Sequence, residues 1–338
     1  MSLIAQVSDL VSRAELTWIE REMKDRKNMD SMKNSGIFEK VDFPDGTGNT
    51  RQYTSLDVEK YAKIKKYGES AKIATFQQGY KKILTMLRFA SDIPFEHEDI
   101  HQSKDPVINR KLKSMSDMIP DRVELMLAHH FSFSTATDYT NTEGDTVDVS
   151  MGDGFALGYS AHTLNGSSTT YRTILSGNPQ FSRGCLEALE NLFRTQSYNE
   201  LGQNISDKIK PNLILSTKDA NTVNTIRILN LSTADPIQNN SGVINPAKGK
   251  YRHVANDNIG TDAEGIHTTT KAKYVFLIDV DYGSAYNAIQ EAAHMLPPTL
   301  PENDSNRADK IIFGVRGSES SVIVDAKNIR MTKGDGSA

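Results

Sequence analysis

A chain of 338 residues has room for two domains or one elaborated domain. Its 39 basic and 43 acidic residues leave a net charge of −4, which excludes nucleic-acid binding driven by an overall basic charge. The single cysteine excludes an intrachain disulfide and any multi-cysteine metal site; no apolar run approaches the roughly 20 residues that span a bilayer, and residues 1–18 show no secretory signal. A reducing cytoplasm and no membrane are therefore expected. The hydrophobic fraction, 37%, is lean, which points to stability drawn partly from partners.

Ile4, Val7, Leu10, Val11, Ala14, Trp18 and Ile19 recur at helical spacing, and the pattern turns charged from Glu20 to Lys27. A helix with one apolar stripe and no local partner must pack on its own body or on a neighbour. Residues 37–79 are the least globular part of the chain. Ile37 to Phe43 alternates as a strand does, Pro44-Asp45-Gly46-Thr47-Gly48 is a turn signal, Arg51-Gln52-Tyr53-Thr54 fits a second strand, and lysines crowd the stretch from Lys60 to Lys72. About 40 residues folded back on themselves project roughly 50 to 65 Å at about 3.3 Å per residue. A lone two-stranded ribbon is marginal in water, so it should lie on something, either its own domain or another subunit.

Ile83 to Phe95 is apolar and ends at Pro94. Asp105-Pro106 opens a helix, with Leu112, Met115, Met118, Ile119, Val123, Met126 and Leu127 on one face as far as Phe131. Running to Phe133 it would be about 43 Å long, and Pro120 should kink or interrupt it. Phe181, Cys185, Leu186, Leu189, Leu192 and Phe193 mark a helix after Pro179; Leu213-Ile214-Leu215 is a buried strand; Val223, Ile226, Leu229 and Leu231 mark another helix. Asn239 to Gly265 reads as loop, Tyr274 to Val280 as the best strand, and Ser284 to Met295 as a helix closed by Pro297-Pro298. Leu300 to Arg307 reads as a linker. Ile311 to Arg316 and Ser321 to Asp325 read as two short strands, with a loose tail from Thr332 to Ala338. The fold class is α+β, and strand and helix alternation from Ser176 to Leu296 suggests a mixed sheet with flanking helices.

His97-Glu98-Asp99-Ile100-His101 formally matches the H-E-x-x-H zinc motif, in which two imidazoles one turn apart hold the metal and the glutamate acts as base. Pro94 upstream and Asp105-Pro106 downstream leave only about two helical turns for it. His129, His130 and His162 offer no zincin context for a third ligand. His129-His130 near a helix end would favour the dipole if protonated. Asp279 and Asp281 stand at the end of a buried strand, where metal-binding carboxylates occur, but without a phosphate loop or lysine partner. Cys185 reads as a small core residue. No phosphate loop, dinucleotide fingerprint or nucleophile elbow is present.

Asp153-Gly154-Phe155-Ala156-Leu157, then His162, Asn178-Pro179, an amphipathic helix, Gly202, the strand from Pro211 to Ser216 and the helix through Ile226 and Leu229 follow one another in an order that resembles the centre of tailed-bacteriophage major capsid proteins. These have the Hong Kong ninety-seven-like fold, and the resemblance is nearest to the Mu-like major head subunits. It covers about Asp105 to Leu296 and extends to the whole chain by architecture. It implies an N-terminal arm (1–36), an extended loop that laps over the next subunit (37–79), a peripheral domain with a long spine helix (80–175 and 300–338) and an axial domain (176–299). On this resemblance the chain is a structural protein, not an enzyme, with no cofactor, metal or catalytic residue. It would assemble in the host cytoplasm into the pentamers and hexamers of an icosahedral virion shell around double-stranded DNA, with scaffolding and portal proteins as partners. Trp18 in the arm and Phe43, Tyr53, Tyr61 and Lys65 in the loop are then the expected contacts between subunits. Two alternatives stand beside it: a zinc-dependent hydrolase built on His97, Glu98 and His101, and an encapsulin-like compartment shell.

Overall fold

Leu213, Ile214, Leu215 and Ser216 are all buried, as are Val275 to Ile278, so two consecutive strand segments have both faces covered. Around them the chain builds two four-stranded sheets. The computed structural model describes residues 9, 12–14, 17, 31–43, 48–96, 98, 105–233, 244–296 and 310–337. One sheet has the order β1 (Glu39–Asp42), β12 (Ala285–Met295), β13 (Lys310–Ile323), β4 (Leu87–Glu96). The other has the order β10 (Arg252–Ala255), β9 (Leu213–Ser216), β11 (Val275–Ile278), β14 (Ile329–Thr332). Three two-stranded ribbons complete the strands: β2 (Thr50–Val58) with β3 (Phe76–Thr85), β5 (Asp138–Thr140) with β6 (Thr146–Asp148), and β7 (His162–Leu164) with β8 (Ser167–Tyr171). Among the described residues the long α-helices are α1 (Asp105–Ser132), α2 (Arg183–Thr195) and α3 (Ala220–Leu231). Among the described residues no helix is long and apolar enough to cross a membrane.

Side-chain alternation along β9 and β11 separates two cores. Leu213, Leu215, Phe276 and Ile278 face α1 and β13, where Leu112, Met115, Val123, Leu127 and Phe131 meet Ile311, Phe313 and Val315. Ile214, Val275 and Leu277 face the other way, onto Leu186, Leu189 and Phe193 of α2 and Ile226 and Leu229 of α3. Phe131 of α1 meets Phe276 edge-on at 5.0 Å, so the end of the long helix is wedged against the second sheet. Both short helices begin on caps written in the sequence. Ser182 Oγ accepts from Cys185 N, and Asp219 Oδ2 accepts from Thr222 N at 2.9 Å.

Of the kink or interruption expected at Pro120, the interruption does not occur: the long helix runs through it from Asp105 to Ser132. Proline in a helix interior costs about 3 kcal/mol. Met115, Ile119, Val123 and Leu127 bracket it and are all buried, each contributing roughly 1.5–3 kcal/mol, so packing outweighs the lost hydrogen bond.

Six further expectations are corrected. Ser284 to Met295 is not a helix: Ala285–Met295 is a strand held between β1 and β13, with register shifts after Ile289 and Glu291 that break the alternation a sequence reader looks for. Ile311–Arg316 and Ser321–Asp325 are not separate strands but parts of one, Lys310–Ile323; its polar middle is satisfied from both sides, with Ser318 Oγ donating to Leu87 O and Asn287 Nδ2 donating to Glu319 Oε1. The strands on either side of Pro44–Gly48 do not pair with each other, since β1 runs parallel to β12 and β2 departs with β3. The tail is not loose through Ser337, because Ile329–Thr332 is buried in the second sheet and Asn178 Nδ2 donates to Ser337 O at 2.9 Å. β10 lies inside the stretch read as loop. Pro94, read as an end, sits within β4, an edge strand where a missing N–H is tolerated.

Candidate subunit-contact ribbon

β2 and β3 pair antiparallel from Thr50↔Thr85 to Val58↔Phe76, with one irregularity after Thr54. At about 3.3 Å per residue the paired part is roughly 30 Å long. Its near half lies on its own chain. Tyr53 stacks on Tyr286 of β12 at 4.7 Å, and Phe43, Leu84 and Met86 form a small core with Ala288 and Val322. Lys82 Nζ reaches Asp148 Oδ2 at 2.5 Å and Ser150 Oγ at 2.8 Å. Tyr80 Oη is 3.1 Å from Thr163 Oγ1.

Its far half is different. Beyond the bond from Glu59 N to Thr75 O, residues 60–74 carry Tyr61, Ile64, Tyr67 and Ile73. Ile64 is 86% exposed and Ile73 87%, and Tyr61, Tyr67, Leu56 and Phe76 are exposed as well. Large apolar side chains grouped on one projection and left to water mark an interaction surface. Lys65, Lys66 and Lys72 between them are exposed too.

Where the two halves join, the ribbon is tied to the loop after α2 and to the connector between β13 and β14. Lys327 Nζ lies 2.9 Å from Asp57 Oδ2, 2.6 Å from Glu200 Oε1 and 3.9 Å from Asp325 Oδ2, with its side chain only 1% exposed. Glu200 N donates to Asp57 Oδ2 at 2.8 Å, and Asn165 N to Glu200 Oε2 at 2.8 Å. Lys60 N donates to Gln203 Oε1, and Lys60 Nζ to Asp207 Oδ1, both at 2.7 Å. Burial pushes the Asp325 carboxyl up, whereas the carboxylates around Lys327 hold its ammonium well above the usual lysine range despite burial.

The expected contact residues divide accordingly. Tyr61 and Lys65 stand exposed on the far half. Tyr53 is half-buried at the near half. Phe43, 3% exposed, is covered by its own chain, which leaves almost no side chain for a neighbour. Trp18 lies outside the described residues, as do His97 and His101; Glu98 is exposed. Among the described residues no group of three or more His, Cys, Asp or Glu side chains is placed to hold a metal. Asp279 is spent on the backbone, accepting from Lys210 N at 2.7 Å and Asp281 N at 3.1 Å.

The other singled-out groups are structural. Asp153 and His162 meet at 2.8 Å, and His162 Nε2 lies 3.2 Å from Thr173 Oγ1. The order acid–imidazole–hydroxyl imitates a catalytic relay, but Thr173 is fully buried and its hydroxyl donates to Leu157 O at 2.6 Å, so no substrate reaches it. Burial works against the Asp153 charge, yet His162 and two backbone N–H groups hold its carboxyl below the usual range. His129 and His130 are neutral, not protonated: burial lowers each to about 4, and they bond Tyr139 Oη and Ser321 Oγ at 2.9 Å. Burial likewise pushes the Cys185 thiol to about 11.

No protein-family model matches the sequence, and no curated protein is similar to it in sequence. Solved structures are. The capsid of an empty GTA particle computed with C5 symmetry is similar over 90% of this chain and 89% of its own, with a TM-score of 0.50 at 10% identity. This chain has a capsid-protein fold. Mycobacterium phage Adephagia (TM-score 0.49, 11% identity, 89% of each chain) and the capsid of Myoviridae phage XM1 (TM-score 0.47, 10% identity, 88% of this chain and 90% of that one) are also similar. The α+β capsid architecture expected from the sequence is thus the one the chain adopts. At these identities the likeness concerns the fold.

The residues the sequence reading missed are Lys327, Asp325 and Glu200. For Asp325 and Lys327 the signal was a charged pair set two apart in the otherwise apolar and small run from Val322 to Lys327.

Proposed function

We propose that this chain is the structural subunit of a phage head. Copies assemble into pentamers and hexamers of an icosahedral shell that encloses double-stranded DNA without reading its sequence. Assembly takes place in the host cytoplasm with scaffolding and portal proteins, and the chain then works as part of the virion. It is not an enzyme. In this reading residues 1–36 are the arm and β2–β3 with its far end is the extended loop. Residues 80–175 and 300–338, with α1 as the spine helix, are the peripheral domain, and residues 176–299, with α2 and α3, are the axial domain.

The observation that carries the reading is the uncovered far half of the ribbon. Tyr61, Ile64, Tyr67 and Ile73 stand exposed, and a second copy supplies apolar cover when each ribbon lies on the next subunit round a ring. Such head-to-tail contacts generate closed rings, and small changes of angle give five or six members. The shared fold with a solved capsid supports the same conclusion. A net charge of −4 suits a wall that holds DNA without sticking to it.

Replacing residues 60–74 by a short glycine–serine turn tests it. The variant should remain soluble, with the circular dichroism and melting transition of the intact subunit, and form no shells. Shells of normal size would remove the ribbon from the assembly mechanism.

A further inference from the structure

From the sealed cluster at the ribbon root we infer that Lys327 is a positioning residue for assembly: by holding Asp57 on the ribbon against Glu200 and Asp325 on the body, it fixes the direction in which the far half of the ribbon leaves the subunit. This rests on the reading of the ribbon as the subunit contact.

Three parts of the chain distant in sequence meet at this one ammonium. Asp57 is in β2, one residue before the strand ends; Glu200 is in the loop after α2; Asp325 and Lys327 are in the connector that carries the chain from the first sheet to the second. A two-stranded ribbon is pliable, and its direction is set where it is last tied. Beyond Asp57 the ties to the body among the described residues are a part-buried bond from Lys60 N to Gln203, exposed bonds from Lys60 Nζ to Asn204 and Asp207, and a long one from Asn199 Nδ2 to Val58 O. The exposed Lys60 ammonium pair with Asp207 holds little, whereas the Lys327 ammonium is shielded from water and salt.

Backbone approach gives a second, independent sign that the root is built for one geometry. A Cβ on Gly79 of β3 would come within 2.1 Å of Ser55 Oγ and 3.0 Å of Glu200 Oε1, and one on Gly166 within 2.6 Å of Gln77 Cγ and 2.7 Å of Glu200 O. At Gly166 the ribbon and the Glu200 backbone therefore leave room for hydrogen alone, and at Gly79 a side chain would press on Ser55 and on the Glu200 carboxylate. Asn165 Nδ2 donates to Gln78 O at 2.9 Å in the same gap. A single ammonium facing three carboxylates also explains why a lysine is tolerated inside: its charge is compensated from the ribbon and from the body together.

The test uses unassembled subunits carrying spin labels at Tyr67→Cys, on the ribbon, and Asn191→Cys, on α2; Cys185 is buried and stays unlabelled. Electron–electron distance measurements should give one narrow distribution for the parent. In Lys327→Met, and in the gentler Asp57→Asn, which leaves Lys327 its two body carboxylates, the distribution should broaden several-fold. The melting temperature of Asp57→Asn should stay within a few degrees of the parent, shell formation should slow at least tenfold, and Asp57→Glu should restore both. A distribution as narrow as the parent's in Asp57→Asn overturns the inference, whether or not Lys327→Met folds. A broadened distribution with shells forming at the parental rate leaves the clamp standing and instead overturns the ribbon as the assembly contact.

Discussion

His162 Nδ1 lies 2.8 Å from Asp153 Oδ2, with the two side chains 0% and 4% exposed. The same carboxylate accepts from Thr163 N, and its other oxygen from Phe155 N, so one acid organises the whole turn from Asp153 to Thr163. His162→Ala leaves that acid buried without its main partner. Leaving a buried polar group without its hydrogen-bond partner costs about 1–3 kcal/mol. Urea unfolding of the subunit should show a loss in that range, and Asp153→Asn should lose stability too, because both carboxylate oxygens accept N–H bonds and an amide keeps only one acceptor oxygen. A loss under about 1 kcal/mol for His162→Ala would mean the pair is replaceable.

His129 and His130 make stability depend on pH. Each is lowered from 6.5 to about 4, chiefly by burial, so the folded chain refuses a proton that the unfolded chain takes up below pH 6.5. Their contribution is complete above pH 6.5 and is lost as pH falls toward 4. It amounts to something on the order of 2–3 kcal/mol for the fully buried His130 and less for His129. Between pH 6.5 and 4.5, unfolding free energy should therefore fall with decreasing pH, and the slope should flatten in His130→Gln. An unchanged slope would show that His130 does not titrate on unfolding.

Pro120 is a local fault that packing overrides. Pro120→Ala restores a helical donor and removes a ring from the preceding turn, while Ile119 and Val123 keep their places. The expected gain is about 1–3 kcal/mol in subunit unfolding. A loss would show that the ring itself is packed.

The sequence exposed what is local and hid what is shared. The helices after Pro179 and Asp219, the strands at Leu213 and Val275, and the long helix from Asp105 are legible because each carries its own period and its own stop signal. β12 was misread because its apolar residues, Ala285, Ala288, Ile289, Ala292 and Ala293, fall at helical spacing; only the pairing with β1 and β13, through two register shifts, makes it a strand. The ribbon could be seen from its turns and lysines, but its partner strand could not, since β2 skips β1 and pairs beyond residues 59–75. The role of Lys327 was hidden for a related reason, although its charge beside Asp325 stands out in the sequence. Its three carboxylates come from residues 57, 200 and 325, and nothing in the sequence brings those together.

Electron microscopy of the purified, full-length chain under assembly conditions tests the central claim most directly. The account predicts closed shells built from five- and six-membered rings, with density for residues 59–75 of each copy lying on the next. A monodisperse monomer at high concentration, with Tyr61, Ile64, Tyr67 and Ile73 folded onto its own surface, would contradict it.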